Sequence, residues 1–195
     1  FKMKKIFIII IFFSLCFISP SQADDITDFE IEGISLGDSL LDHYKLDIIK
    51  KREINKITYP DSNYSAISFK IDGDKFNSLQ LTYNNLDPKY KIISIGGRIL
   101  YKKKDINVCK KKMKEILNDL KNSFKDIGIM QREDTPYSHD TLGKSMTYGY
   151  VWYLNRGAVG LYCLDLSDEY RKATGYFDEL SLSLHSHEMR EYLTN

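Results

Sequence analysis

The sequence predicts an α+β domain: an antiparallel sheet of about six to seven strands, with one long helix packed on a face and short flanking helices. Three observations support this class. Short stretches of alternating apolar residues recur with turn signals between them, which is typical of antiparallel strands. One stretch, from Asp105 to about Phe124, repeats its apolar residues at helical intervals. The elements follow in the order helix, strands, helix, strands and helix, which favours segregated rather than alternating elements.

The first elements are two short helices. Ser35 or Asp38 can cap a helix that carries Leu40, Leu41 and Tyr44 on one side, and residues 47–51 indicate a second helical piece. Seven strands are expected after them, at 55–59, 64–71, 78–83, 89–101, 145–154, 158–166 and 177–184.

The fourth strand contains Gly96-Gly97, which predicts either a hairpin turn or a bulge that bends one long strand. We favour the bulge, since the residues after the glycines keep their β character. Residues 129–143 are expected to form a polar loop and residues 167–174 a charged loop. Ser186 is expected to cap a last short helix.

The long helix has the clearest pattern. Asp105 is a suitable cap, and Gly128 lies just beyond the expected end. Its lysines lie opposite the apolar stripe, so they indicate a solvated face or, as a less favoured alternative, a contact with anionic lipid. The apolar stripe is Ile106, Cys109, Met113, Ile116, Leu117, Leu120 and Phe124, and the lysines are Lys110, Lys111, Lys112 and Lys114.

Residues 1–23 are predicted to be a cleavable signal peptide, and residues 24–195 a single domain. The start has a basic Met3-Lys4-Lys5, an apolar run at 6–18, and small residues at Ser21 and Ala23. The alternative, an uncleaved anchor, is disfavoured because the run is short for a bilayer. Without residues 1–23 the net charge becomes 25 − 27 = −2. We therefore expect a periplasmic or secreted protein with no nucleic-acid partner and no stable membrane anchor.

Two cysteines remain after such processing, Cys109 and Cys163. An oxidising compartment and an even number of cysteines favour a disulfide, which would pin the long helix to a strand. Its closure of a long loop would contribute about 4 kcal/mol. The alternative is two separate buried thiols, because sequence does not supply the geometry.

Two motifs resemble catalytic or nucleotide-binding sequences. Gly143-Lys144-Ser145 ends like a phosphate-binding loop, but Ser138 occupies the position of the required first glycine. The residues Ser138-His139-Asp140 are triad types placed side by side, whereas a triad assembles from separate segments. We therefore expect no catalytic residues and no cofactor from these motifs.

Two groups of residues are weak candidates for a metal site. His185 and His187 would share one side of a strand if the strand continued past both. A calcium site would need a wrapping loop, which the nearby acidic residues lack. These acidic residues are Asp165, Asp168, Glu169, Asp178 and Glu179.

Tyr148, Tyr150 and Trp152 give one strand an aromatic side, which indicates either a binding face or cross-strand core packing. Our leading expectation is a non-enzymatic module that binds an envelope protein or a small ligand through this hairpin and the 129–143 loop. The alternative is a periplasmic hydrolase or metal-dependent enzyme that uses His139 or the pair His185 and His187.

Several segments together resemble a family of small secreted proteins of marine alphaproteobacteria with AT-rich genomes, a family without an assigned activity. The resemblance covers most of the chain after the leader, although Leu166 stands where the family has an aromatic residue. It implies one exported domain and no particular activity. The segments are 33–41, 101–109, 143–145, 164–167 and 177–193.

Overall fold

The computed structural model describes residues 26–54, 56–60, 63–73, 75–102, 105–123 and 129–194. The predicted signal peptide, Asn55, Phe124 and Gly128 lie outside these residues. The elements in chain order are a 3₁₀ turn (Ile26–Asp28), β1 (Glu30–Ile31), β2 (Ile34–Ser35), α1 (Leu40–His43), α2 (Leu46–Glu53), β3 (Ile57–Thr58), β4 (Tyr64–Lys70), β5 (Ser78–Asn84), β6 (Ile92–Tyr101), α3 (Ile106–Ser123), β7 (Ile129–Pro136), β8 (Met146–Leu154), β9 (Gly157–Asp165), α4 (Asp168–Thr174), β10 (Asp178–Ser186) and α5 (His187–Thr194).

The predicted class is confirmed: the chain is α+β, and every strand pair is antiparallel. The expected count of six to seven strands is too low, since residues 129–136 also form a strand: the main sheet has eight strands in the order β3-β4-β5-β6-β10-β9-β8-β7, and β1 pairs with β2 in a small second sheet. The main sheet therefore consists of two four-stranded meanders joined through β6 and β10. Each meander follows a helical segment, so the same topology occurs twice along the chain.

One face of the main sheet carries the core. Because side chains alternate along a strand, the same face of adjacent strands presents Leu81, Ile95, Leu184 and Val159, all at most 1% exposed. Helix α3 packs over β9 and β10 on this face, and the β1–β2 hairpin packs against β6. These covering elements leave the two grooves described below.

The expectation of a polar loop at 129–143 is corrected, because the first part of this segment is strand β7. Residues 129–136 pair with β8 over eight residue pairs, from Ile129 opposite Tyr153 to Pro136 opposite Met146. Consecutive polar residues at 131–135 hide the alternation that predicts a strand. An edge strand needs only one partner, and a terminal proline suits it.

The expected charged loop at 167–174 is also corrected, because it contains helix α4. Ser167 Oγ accepts a hydrogen bond from Tyr170 N at 3.1 Å, and Gly175 ends the helix with φ +73°. This pair of signals, a serine cap and a glycine after the last turn, is visible in the sequence.

Strand β6 runs without interruption through Gly96-Gly97, so one long strand is confirmed and a hairpin turn is excluded. The expected bulge at the glycines is wrong, since the register with β5 shifts between Thr82 and Tyr83 instead. A Cβ on Gly97 would lie 2.8 Å from ring atoms of Phe76. Gly97 is therefore explained by close packing of that ring on the strand.

The first helix is capped by Ser39 rather than Ser35 or Asp38. Ser39 Oγ accepts a hydrogen bond from Leu41 N at 3.1 Å, and the Asp42 carboxylate accepts one from Ser39 N. Asp38 instead accepts from Ser35 N in the turn before the helix. The expected cap of the last helix is confirmed, because Ser186 Oγ accepts from Met189 N at 3.2 Å.

Candidate functional site

Helix α3 is capped by Asp105 and is fixed to the sheet by two kinds of contact, a disulfide and apolar packing. Asp105 Oδ1 accepts hydrogen bonds from Asn107 N and Val108 N, which confirms the predicted cap. Cys109 and Cys163 are bonded, with their Cα atoms 5.9 Å apart, so the predicted disulfide ties α3 to β9. The apolar stripe of the helix is buried against the sheet. With this stripe facing inward, the charged residues of α3 lie on its two flanks.

A groove of about 400 Å³, here called the lysine groove, runs between α3 and the strands β7 and β8. Its volume lies in the range typical of small-molecule sites. Its lining residues come from three elements: Asn107, Lys110, Lys111, Met113 and Lys114 of α3, Asp134 of β7, and Tyr148, Gly149 and Tyr150 of β8.

The aromatic strand contributes two of its three predicted binding residues to this groove. Tyr148 and Tyr150 are half-buried and line it. Trp152 is only 5% exposed and belongs to the core, with its ring centroid 6.3 Å from that of Tyr150. The tyrosines therefore offer rings to a ligand, and Trp152 supports them from the interior.

The charge of the lysine groove is positive. Its lining has three lysines and one carboxylate, Asp134, which gives 3 − 1 = +2. Lys110 Nζ lies 3.4 Å from the ring centroid of Tyr148, a cation–π contact that holds the ammonium at the groove. Within the described residues, Lys111 and Lys114 form no ion pair. Their charges are therefore available to an anion.

A second groove of about 430 Å³, here called the acidic groove, lies on the other flank of α3 beside the β1–β2 hairpin. Its floor is apolar, with Phe76, Ile116, Leu120 and Leu182 nearly buried. The charged residues of its rim sum to −4 + 2 = −2: Glu30, Glu32, Glu115 and Asp119 against Lys75 and Lys112. Lys112 is itself paired with Glu115 at 3.1 Å.

The segment from Ser138 to Ser145 forms a structural network rather than a catalytic one. The buried carboxylate of Asp140 accepts bonds from Ser145 Oγ at 2.6 Å, from Ser167 Oγ at 3.0 Å, and from the backbone N–H groups of Leu142 and Ser145. These bonds, above all that from Ser145, lower the pKa of Asp140. His139 is exposed, with its ring packed 5.3 Å from that of Tyr137.

The phosphate-loop resemblance has no counterpart in the structure. Gly143 adopts φ +68° in a turn, and Ser145 leads into β8 rather than into a helix. Lys144 Nζ bonds Glu169 at 2.8 Å, so its ammonium is occupied. This segment closes the loop between β7 and β8.

The two candidate metal-binding histidines have separate partners. His185 Nδ1 lies 2.8 Å from Ser94 Oγ, and burial lowers the pKa of His185 to about 4. His187 is exposed on α5, where Arg190 Nη2 lies 2.8 Å from its Nδ1. In the part of the chain that the structure describes, no three His, Cys, Asp or Glu residues come together as a metal site.

Three of the acidic residues considered for calcium have cationic or backbone partners, whereas Asp165 Oδ1 is buried with no hydrogen-bond partner among the described residues. Asp178 bonds Arg171 Nη1 at 3.4 Å and accepts from Leu166 N, and Glu169 pairs with Lys144. Glu179 lies 3.8 Å from Arg98. These carboxylates therefore stabilise the strand ends and α4, and they do not form one shared metal site.

Sequence reasoning found the tyrosines but missed their partners. The lysines of α3 were interpreted mainly as a solvated face, whereas three of them border a groove that also contains Asn107 and Asp134. The signal that could have found them is their position one to five residues after Cys109, the residue that fixes the helix over β9.

Helices of the described residues were also compared with the requirements of a membrane span, and none is both long and apolar enough. Comparison of the chain with protein-family models, with curated proteins and with solved structures gave no match.

Proposed function

We propose that the protein is an exported, non-enzymatic binding module whose lysine groove takes an anionic ligand with a planar apolar part. The observation that carries this proposal is the convergence of Lys110, Lys111 and Lys114 with the rings of Tyr148 and Tyr150 in one groove. The leader pattern supports export, and the disulfide is compatible with an oxidising compartment.

The ligand class follows from the chemistry of the groove. The net charge of +2 favours an anion, and the half-buried Lys110 attracts it more strongly than an ammonium in bulk water would, whereas Lys111 and Lys114 are exposed. The tyrosine rings supply flat apolar area with polar tips, which suits a planar group. A ligand that carries both features would contact both walls at once.

Binding rather than catalysis is proposed because the groove lacks a nucleophile beside a base. Lysine ammonium groups and tyrosine rings dominate its described lining, and the histidines lie elsewhere in the fold. The pair of Ser145 and Asp140 is buried, so a substrate would not reach it, and the half-buried His185 is in hydrogen-bond contact with Ser94, which is only 5% exposed.

The test uses two probes with the same ring. 2-Naphthalenesulfonate carries the anion, and 2-naphthylmethanol is its neutral counterpart. Isothermal titration of the exported chain should give saturable binding of the sulfonate, at least about tenfold tighter than that of the alcohol. Equal affinities would show that the lysines do not contribute and would overturn the proposal.

A further inference from the structure

The surface around α1 and α2 exposes an unusual number of large apolar side chains. Ile54 is 80% exposed, and the other members are between two-fifths and three-quarters exposed. This set, here called the α2 surface, comprises Leu41, Leu46, Ile48, Ile54 and Ile57, with Leu86 from the turn after β5. Grouped exposed apolar side chains mark an interaction surface, whereas isolated ones need no explanation.

The α2 surface is held in place by contacts on its inner side. Ile49 is fully buried, and Tyr83 Oη donates to Glu53 at 2.9 Å. Lys50 pairs with Glu53 and lies 5.3 Å from the ring centroid of Tyr90. Ser39 Oγ donates to the carbonyl of Lys89, so the turn that carries Leu86 is tied to the same unit. The outward side chains are therefore presented by a fixed scaffold.

Basic residues lie among the exposed apolar ones. Residues 41–57 contain five basic and three acidic side chains, which gives 5 − 3 = +2. Two of the acids are engaged: Glu53 by Lys50 and Tyr83, and Asp42 by the cap of α1. Among the described residues, Lys45, Lys51 and Lys56 form no ion pair.

We propose that the α2 surface docks the protein peripherally on an anionic lipid surface. Large apolar side chains that protrude beside lysines match the chemistry of an interfacial segment, which buries its apolar groups at the headgroup boundary and attracts anionic lipids. Each lysine or arginine near such a surface strengthens binding by about fivefold. A folded protein partner would need no such excess of positive charge.

This surface is distinct from the lysine face of α3, which the sequence had suggested for lipid contact. On the described part of α3, Val108 is the one large apolar side chain that is exposed beside the lysines. They border the lysine groove instead. The inference therefore stands independently of the proposed ligand.

The test is co-sedimentation of the exported chain with two kinds of vesicle. Every variant is prepared with the same N terminus. One is phosphatidylcholine, and the other is phosphatidylcholine mixed with phosphatidylglycerol. We expect binding to the mixed vesicles, at least about tenfold weaker binding to phosphatidylcholine, and loss of binding in high salt.

Two double variants separate the contributions. L46S/I54S removes apolar contacts, and K51E/K56E reverses charge; each should weaken binding to the mixed vesicles at least about tenfold. The matched controls L142S and K121E alter exposed residues away from the α2 surface and should stay within about twofold of the unmodified chain. All six positions are exposed, so thermal unfolding should be little changed.

Equal binding to both vesicle types, or equal binding by the double variants and their controls, would overturn the inference. A failure of the unmodified chain to bind either vesicle would also overturn it, and would direct the search for a partner of the α2 surface towards proteins.

Discussion

The two grooves beside α3 have similar volumes, about 400 and 430 Å³, and share one helix as a wall, yet they differ in charge by four units. The lysine groove has tyrosine rings and a charge of +2, whereas the acidic groove has an apolar floor of Phe76 and aliphatic side chains and a charge of −2. The helical repeat produces this division. Lys110, Lys111 and Lys114 fall on one flank, and Lys112 falls on the other, where Glu115 neutralises it.

The comparison shows why a run of lysines in a sequence does not define one surface. Four lysines within five positions of α3 are divided between two flanks by the buried stripe around Cys109. Because one helix serves both grooves, changes that move the helix should affect both. Changes to single side chains should affect one.

The largest effect is expected from the double variant C109A/C163A. The bond closes a sequence separation of 54 residues, so its loss should lower the free energy of unfolding by about 4 kcal/mol. Urea unfolding measures this loss. Binding of 2-naphthalenesulfonate in the lysine groove and of 2-naphthylmethylammonium in the acidic groove should both weaken, because α3 is a wall of each groove. If one groove kept its affinity while the other lost it, the idea of a shared wall would fail.

A smaller effect on the free energy of unfolding is expected from His185, which lines neither groove. The pKa of His185 is about 4 in the folded chain against about 6.5 when unfolded, so the unfolded chain takes up the proton first as the pH falls. The stability that this histidine contributes is complete above about pH 6.5. About 3 kcal/mol should be lost between pH 6.5 and pH 4.

The variant H185Q removes this titration and retains a side chain that can bond Ser94. Its unfolding free energy should depend less steeply on pH than that of the unmodified chain over this range. Equal slopes for the two chains would contradict the burial of a neutral imidazole at this position. This variant changes the stability of the whole fold, whereas the variants below are expected to change binding in one groove.

Charge reversal should act on one groove. The variant K111E/K114E should weaken binding of 2-naphthalenesulfonate by at least about tenfold, because attraction becomes repulsion at the groove rim. K121E, a change on the exposed last turn of the same helix, is the matched control and should bind as the unmodified chain does. Similar losses in both variants would indicate long-range electrostatics rather than a site.

The smallest effect is expected from the rings. Y148L should weaken sulfonate binding by about three- to tenfold, because a tyrosine ring supplies contacts that an aliphatic side chain replaces only in part. Y153L changes a tyrosine of the same strand on the opposite face of the sheet, where it is exposed. Titration calorimetry should show no loss for Y153L, and an equal loss in both variants would remove Tyr148 from the site.

Much of the architecture could be predicted from local patterns. Helix α3 and most strands have strong periodicity, Asp105 is a recognisable cap, and the Cys109–Cys163 bond was favoured over the alternative of two separate buried thiols. Strand β7 escaped prediction because its consecutive polar residues at 131–135 hide the alternation of apolar and polar residues that predicts a strand. The β1–β2 hairpin escaped because Glu32 adopts φ +53°, a conformation that is uncommon for a non-glycine residue.

The site was only half predictable for a different physical reason. Tyr148 and Tyr150 stand out by composition, but their neighbours come from α3 and β7, which are far away in the sequence. The burial of Trp152 depends on where α3 and the sheet core meet, which is a property of tertiary packing. Asp140 likewise gains its role from Ser145 and Ser167, which the turn and the β9–α4 junction bring together.

The most direct measurement is amide chemical-shift mapping with two probes that share a ring and differ in charge. On titration with 2-naphthalenesulfonate, the shifts should concentrate at residues 110–114 and 148–150. On titration with 2-naphthylmethylammonium, they should concentrate at residues 30–32 and 115–120. Both probes shifting the same residues, or the sulfonate shifting only residues outside the lysine groove, would contradict the proposed anion-binding site.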